Sequence, residues 1–294
     1  MEYTSSSDKI TRDYFDSLLL EARYIDSDLP STKLELYGKN FDTPVMTAAL
    51  SHLGNTAENG MVKYAQAAAK ANAVHWVGMG DDKELEEITA TGAATIKIIK
   101  PHADNKEVFR KIEHAKKAGC FALGMDIDHA FNGSGGYDNV LGLDMKPKST
   151  EELRDFVQAA GIPFIVKGVL STKDAEKCLK AGCKGIQLSH HHGIMQYAVP
   201  PLMMLSEILQ VTRGEIPVFI DCGIESGMDV YKCLALGATA VSVGRHLMPL
   251  LKEGADATAA RIKEMTGELA ATMARTGVRD LNSFDATVIH QRRF

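Results

Sequence analysis

IPFIVKGVLSTKDAEKCLKAGCKGIQLSHHHG, residues 162–193, is the stretch from which the fold can be read. It begins with an apolar run at 163–168 that has the length and the bounding Pro and Gly of a buried strand. Thr172 and Asp174 then read as a helix N-cap with an acidic first turn. The helical pattern over 172–181 stops at Ala181-Gly182, and Gly suits the left-handed residue that ends a helix. A second apolar run, 185–189, follows within a few residues. Strand, helix and strand in this succession make one βα unit.

The same unit recurs along the chain. Further strand-like runs lie at 44–49, 73–78, 94–100, 121–127, 216–221 and 239–243. Helical patterns fall between them at 57–71, 82–91, 105–118, 150–160, 200–212 and 228–236, with a last one over about 255–275. Ala118-Gly119, Ala160-Gly161 and Leu236-Gly237 repeat the glycine stop, and Ser149 or Thr150 with Glu151 and Glu152 repeats the acidic start. Eight strands alternating with eight helices predict an α/β protein of the (β/α)8 TIM-barrel class. A doubly wound sheet fits less well, because the count is eight and no early G-x-G-x-x-G is present. The expected organisation is a short polar lead-in at 1–43 and a single barrel over 44–294. One long irregular insert, HAFNGSGGYDNVLGLDMKPK at 129–148, follows the fourth strand, and its Gly-rich core suggests a mobile lid.

Composition narrows the function. The 33 Lys+Arg and 38 Asp+Glu leave a formal charge of −5, which argues against broad nucleic-acid binding. No apolar run reaches the roughly 18 residues of a membrane span. The first residues, MEYTSSSDKITRDYF, lack the apolar core of a signal peptide. Cys120, Cys178, Cys183, Cys222 and Cys233 are odd in number and form no C-x-x-C pair. Reduced thiols in a cytoplasm are the expectation.

Barrels keep their chemistry at the C-terminal ends of the strands. Those ends carry Ala48 and Ala49, then Gly78, then Lys97 or Lys100, then Asp126 and Asp128. They continue with Lys167, with Ser189-His190-His191-His192, with Asp221 and Gly223, and with Gly244-Arg245. Loops after the last two strands often hold a phosphate: glycines admit backbone N–H groups, and an Arg adds a bidentate charge. Lys167 ends a very apolar strand and would form a Schiff base, stabilise an anion or pair with a carboxylate. Three adjacent histidines on an extended strand point to alternating sides, so no metal site is expected from them. One histidine acting as a base, oriented by Asp126 or Asp128, fits better.

From Pro163 to Arg245 the chain resembles the FMN-dependent α-hydroxy acid dehydrogenase/oxidase family, which includes glycolate and lactate oxidases. The carriers are residues 162–193, Val199-Pro200, and IPVFIDCGIESGMDVYKCLALGATAVSVGR at 216–245, aligned without gaps. PVMTAALSHL at 44–53 and LGMDIDHA at 123–130 add weaker similarity, so about 20–290 is covered. The resemblance implies bound FMN, a small-molecule substrate, an electron acceptor that is not named by any motif, and a homo-oligomer, often a tetramer. It implies that Lys167 lies by the pyrimidine end of the flavin and stabilises its reduced anion. It makes His191 the base and Asp128 its orienter. Ala48, Ala49, Gly78, Asp126, Ser189, Asp221, Gly223, Gly244 and Arg245 complete the cofactor site.

The departures are specific. The family's substrate arginine three residues after the histidine is Ile194 here, and the insert 129–148 contains no Arg to match a second one. The glycine after the histidine is His192, and a phosphate-loop arginine is Glu225. Lys97, Lys100, His190 and His192 are therefore the candidates for holding the substrate. Other readings remain: an FMN-using isomerase, a Lys167 Schiff-base lyase, or a non-catalytic FMN-binding relative. An inosine-monophosphate-dehydrogenase-like barrel would need a cysteine in the loop after strand 6, where only histidines stand.

Overall fold

The structure is a computed structural model that describes residues 5–292. Eight strands form one parallel sheet: β1 (Val45–Thr47), β2 (His75–Val77), β3 (Thr95–Ile99), β4 (Ala122–Asp126), β5 (Phe164–Val169), β6 (Gly185–Leu188), β7 (Val218–Ile220) and β8 (Ala240–Val243). They are hydrogen-bonded in the order β1-β8-β7-β6-β5-β4-β3-β2. The circle closes between β1 and β2, where Thr47 N donates to Val74 O (3.1 Å) and Gly78 N to Leu50 O (2.8 Å).

The helices are α1 (Gly60–Lys70), α2 (Asp82–Thr89), α3 (Asn105–Lys117), α4 (Thr150–Ala160), α5 (Thr172–Ala181), α6 (Pro201–Thr212), α7 (Gly227–Ala235) and α8 (Ala255–Arg275). Each lies within a few residues of its expected place. The signals used were physical ones. Ser149 and Glu152 form a reciprocal capping box on α4, and Gly161 and Gly182 end α4 and α5 at φ +62° and +84°.

Strand alternation decides which side chains enter the barrel. Met46, Trp76, Ile96, Ile98, Ala122, Ile165, Phe219 and Ala240 fill its interior, and Trp76 meets Phe219 edge-on at 5.6 Å. Ile99, Leu123, Phe164, Val166, Val218 and Val241 face the helices instead. Continuing the interior rows toward the C-terminal end, two residues beyond Ile98, Ile165 and Phe219 and four beyond Ala122, brings Lys100, Lys167, Asp221 and Asp126 to the mouth.

Of residues 1–43, expected as a polar lead-in, two described pieces pack against the barrel, while Tyr24, Ile25 and Leu29 between them are exposed. A hairpin of Leu34–Leu36 and Lys39–Phe41 plugs the bottom, and Leu34, Leu36 and Phe41 join the interior core. An N-terminal helix, Ser6–Ser17, capped by Ser5, lies over the mouth and buries Phe15 completely. It leads into Leu18–Leu20, which pairs antiparallel with Ile289–Gln291. The face it buries is partly polar: Ser7, Asp8 and Thr11 are buried with Phe15. The insert at 129–148 folds as a 3-10 turn (Asp128–Ala130) and a small hairpin of Asn139–Val140 with Leu143–Asp144. No described helix is long and apolar enough to cross a membrane.

Candidate active site

The ammonium of Lys167 is the centre of the mouth. It is 3.0 Å from Asp126 Oδ1, 3.1 Å from His191 Nδ1 and 3.9 Å from Asp221 Oδ2, and it donates to Ser189 Oγ at 3.4 Å. Burial disfavours its charge, but Asp126, Asp128 and Asp221 outweigh burial and raise its pKa. Lys100 holds the other oxygen of Asp126 at 2.7 Å. Burial alone would raise the Asp126 carboxyl; Lys167 and Lys100 overcome it and hold it well below the usual range. Asp128 is lowered in the same way, chiefly by Lys167 against its own burial. Two cations against three carboxylates make a compact, mutually dependent network.

The loop after β6 spreads its histidines in three directions. His191, His192 and Gly193 all have positive φ, at 49°, 56° and 77°. That left-handed run turns each side chain elsewhere. His190 points back to the N-terminal helix, with Nε2 2.8 Å from Thr11 Oγ1, and accepts from Gly193 N through Nδ1. His191 enters the mouth, with Nδ1 3.2 Å from Asp128 Oδ1 and its own N–H donating to Ser189 Oγ. His192 faces the far end of the site, 4.0 Å from Asp8 Oδ1, and burial with Arg245 pushes its pKa down to about 4.

Two connected cavities form one groove across the mouth. The first, about 260 Å³, is lined by Ala48, Ala49, Gly78, Lys100, Lys167 and His191. The second, about 200 Å³, is lined by Gly223, Gly244 and Arg245. Ala48, His192 and Asp221 border both. Of the four substrate candidates, Lys100 and His192 line this groove. The structure brings neither Lys97 nor His190 to it. Lys97 lies on the helix-facing side of β3 with Ile99, and its ammonium donates to Gly78 O from behind.

Three residues that the sequence reading passed over shape the site. Asp8 grips the Arg245 guanidinium. Arg12 binds Asp229 and donates to Gly223 O at 2.9 Å, bracing the loop after β7. His129, the first residue of the insert, stands 3.1 Å from His191. Its signal was adjacency to Asp128 within Asp126-Ile127-Asp128-His129. Asp126, Asp128, His129 and His191 come close enough together to suggest a metal centre, but the Lys100 and Lys167 ammoniums already supply the positive charge there.

The residues present fit FMN. A Cβ on Gly244 would stand 3.1 Å from the Cβ of Ala48, so these two small residues leave a cradle that a side chain would fill. Arg245, more than a third exposed, borders that cradle, where its guanidinium could meet a phosphate. The groove then leads to the cationic Lys167, suited to an electron-rich ring edge. The same glycine-and-arginine pair was expected from the sequence.

The comparisons with known proteins agree. A family model described as FMN-dependent dehydrogenase matches residues 3–159 and 144–291. A 2-hydroxyacid oxidase of Dictyostelium discoideum is 24% identical, over 97% of this chain and 84% of its own length. A peroxisomal (S)-2-hydroxyacid oxidase of Arabidopsis thaliana is 27% identical, over 84% of this chain and 77% of its own length. A mandelate oxidase solved with (S)-2-phenylpropionate superposes with a TM-score of 0.88 at 26% identity, covering 98% of this chain and 90% of its own.

Proposed function

The chain belongs to the FMN-dependent dehydrogenase family, and from that premise we propose that it oxidises a small 2-hydroxy acid or a related alcohol with His191 as the base. The observation that carries this reading is the contact of His191 Nδ1 with Asp128 at 3.2 Å, beside the buried Lys167 and at the edge of the groove.

Bound FMN supplies the two-electron acceptor. Ala48, Ala49, Gly78, Asp126, Lys167 and Ser189 would flank its ring end. Asp221, Gly223, Gly244 and Arg245 would hold its phosphate end. Asp128 orients the His191 imidazole through Nδ1 and stabilises its charged form, which leaves Nε2 to accept the substrate's proton. Lys167 places a fixed positive charge where electron density accumulates.

Lys100 and His192 are the groove-lining groups available to a substrate carboxylate. Lys100 is already held by Asp126. Each missing charge-assisted arginine contact removes roughly 1.5–3 kcal/mol, so carboxylate affinity is expected to be weak. A Schiff base on Lys167 is disfavoured, because three carboxylates hold that amine in its charged, non-nucleophilic form.

We place the enzyme in the cytoplasm, a reading supported by five buried free cysteines. A homo-oligomer, as a tetramer, follows from the family resemblance. The deciding experiment is the visible spectrum of the purified protein during anaerobic addition of a panel of 2-hydroxy acids. A yellow spectrum bleached by one member supports the reading. A yellow spectrum that no member bleaches removes the hydroxy acid and leaves a non-catalytic FMN-binding relative, and a colourless protein that FMN cannot reconstitute removes the flavin.

A further inference from the structure

His129 and His191 face each other Nε2 to Nε2 at 3.1 Å, with ring planes 82° apart. Two imidazole nitrogens at that distance need a proton between them, since two lone pairs would repel. The outer nitrogen of each ring has a carboxylate beside it: His191 Nδ1 meets Asp128 at 3.2 Å, with the Lys167 ammonium also at 3.1 Å, and His129 Nδ1 meets Asp138 at 3.3 Å. The result is a continuous chain, Asp128–His191–His129–Asp138, running from the floor of the mouth into the insert. Its inner end is buried, and its outer end, Asp138, is about one-fifth exposed.

The nitrogen that His191 would use on a substrate is therefore the one engaged by His129. The charged groups around the pair come from several elements: Lys100 from the end of β3, Asp126 and Asp128 from the end of β4, Lys167 from β5, Asp221 from the end of β7 and His192 from the loop after β6. Burial, and then the Lys100 charge, keep His129 below the usual imidazole range, so it rests neutral and able to accept.

On the reading that His191 is the base, we propose that His129 is a second acid–base residue, which relays the proton taken by His191 outward to Asp138. The substrate's hydroxyl takes the place of His129 at His191 Nε2 and gives its proton there, and the α-hydrogen would leave carbon as a hydride, carrying the electron pair to the bound flavin. The proton then crosses from His191 Nε2 to His129 Nε2, while the Nδ1 proton of His129 leaves toward Asp138 and water. The insert is thus part of the chemistry as well as a cover over it.

The test uses the FMN-loaded enzyme and its His129→Gln, His129→Ala and Asp138→Asn variants. Glutamine keeps a hydrogen bond to His191 but cannot carry a proton. The relay requires anaerobic bleaching to slow about 10²-fold in both His129 variants, with KM little changed. It also requires added imidazole to restore His129→Ala, and the pH profile to shift in Asp138→Asn. Full activity in His129→Gln, or no rescue by imidazole, would overturn the relay and leave a purely structural latch. Histidine-selective NMR titration reads the pair without any substrate: the His191 midpoint must move when His129 is replaced, and an unmoved midpoint also overturns the relay. If the wild type is not bleached by any hydroxy acid, the parent reading fails on its own, while the titration still decides whether the two rings share a proton.

Discussion

Asp8 binds Arg245 through both terminal guanidinium nitrogens, at 2.6 and 3.0 Å. The carboxylate comes from the N-terminal helix, and the arginine is the proposed phosphate anchor of the groove. A bound phosphate must share that arginine with Asp8. Replacing Asp8 by Asn removes a negative charge from the phosphate end and releases part of the guanidinium. FMN should then bind apoprotein about 10-fold more tightly, the worth of one charge-assisted hydrogen bond. Quenching of flavin fluorescence on titration with apoprotein measures it. Weaker binding in Asp8→Asn would show that Asp8 holds Arg245 in place for the phosphate.

Arg245→Ala removes the bidentate partner itself. The expected outcome is loss of FMN on gel filtration and a dissociation constant raised about 10²-fold or more. A variant that elutes fully yellow would take Arg245 out of the phosphate site.

His191→Ala should leave FMN bound, because none of the phosphate-end contacts involve this side chain. Bleaching by the active hydroxy acid should slow by about 10²–10⁴-fold, the usual contribution of a positioned base. Asp128→Asn should also slow it, since the imidazole loses its orienting charge. Stopped-flow absorbance at the flavin band is the measurement, and an unslowed His191→Ala would remove the base assignment.

Lys167→Met leaves Asp126, Asp128 and Asp221 facing one another without their shared cation. Breaking a buried pair in this way costs about 3–5 kcal/mol, readable by urea denaturation. If the midpoint does not move, the network is not structural.

The same network sets the acid limit. Burial alone would raise the Asp126 and Asp128 carboxyls, but Lys167 holds both below their ordinary value. Their stabilisation is complete above the unfolded value of about 3.9 and is lost as pH falls through the lower folded values. Thermal midpoints should therefore stay flat above about pH 5 and fall steeply below about pH 4. In Lys167→Met the fall should begin at higher pH. Identical profiles for the two proteins would refute the coupling.

Most of the barrel was legible because period-2 and period-3.6 patterns were clean and the helix caps were explicit. Lys100 and Lys97 show what was left on the table. Ile96, Ile98 and Lys100 share one face of β3, and that alternation alone would have sent Lys97 outward to Gly78. Asp8 and Arg12 were not legible. They sit on a polar helix far from the mouth in sequence, and long-range pairs such as Asp8–Arg245 leave no local trace. His190, His191 and His192 were unresolved for a third reason, because three left-handed or glycine-like backbone angles in a row override strand alternation. Gly223, Gly244 and Arg245, proposed from the sequence as the phosphate end, line one cavity, but Asp8, the carboxylate on Arg245, came from the unread helix.

The pairing of Leu18–Leu20 with Ile289–Gln291 bears on how the molecule is made. The helix that carries Asp8 and Arg12 runs straight into the first of these strands. The two strands are separated by almost the whole described chain, so their pairing closes a very long loop, and the folded barrel between them has to offset that entropic cost.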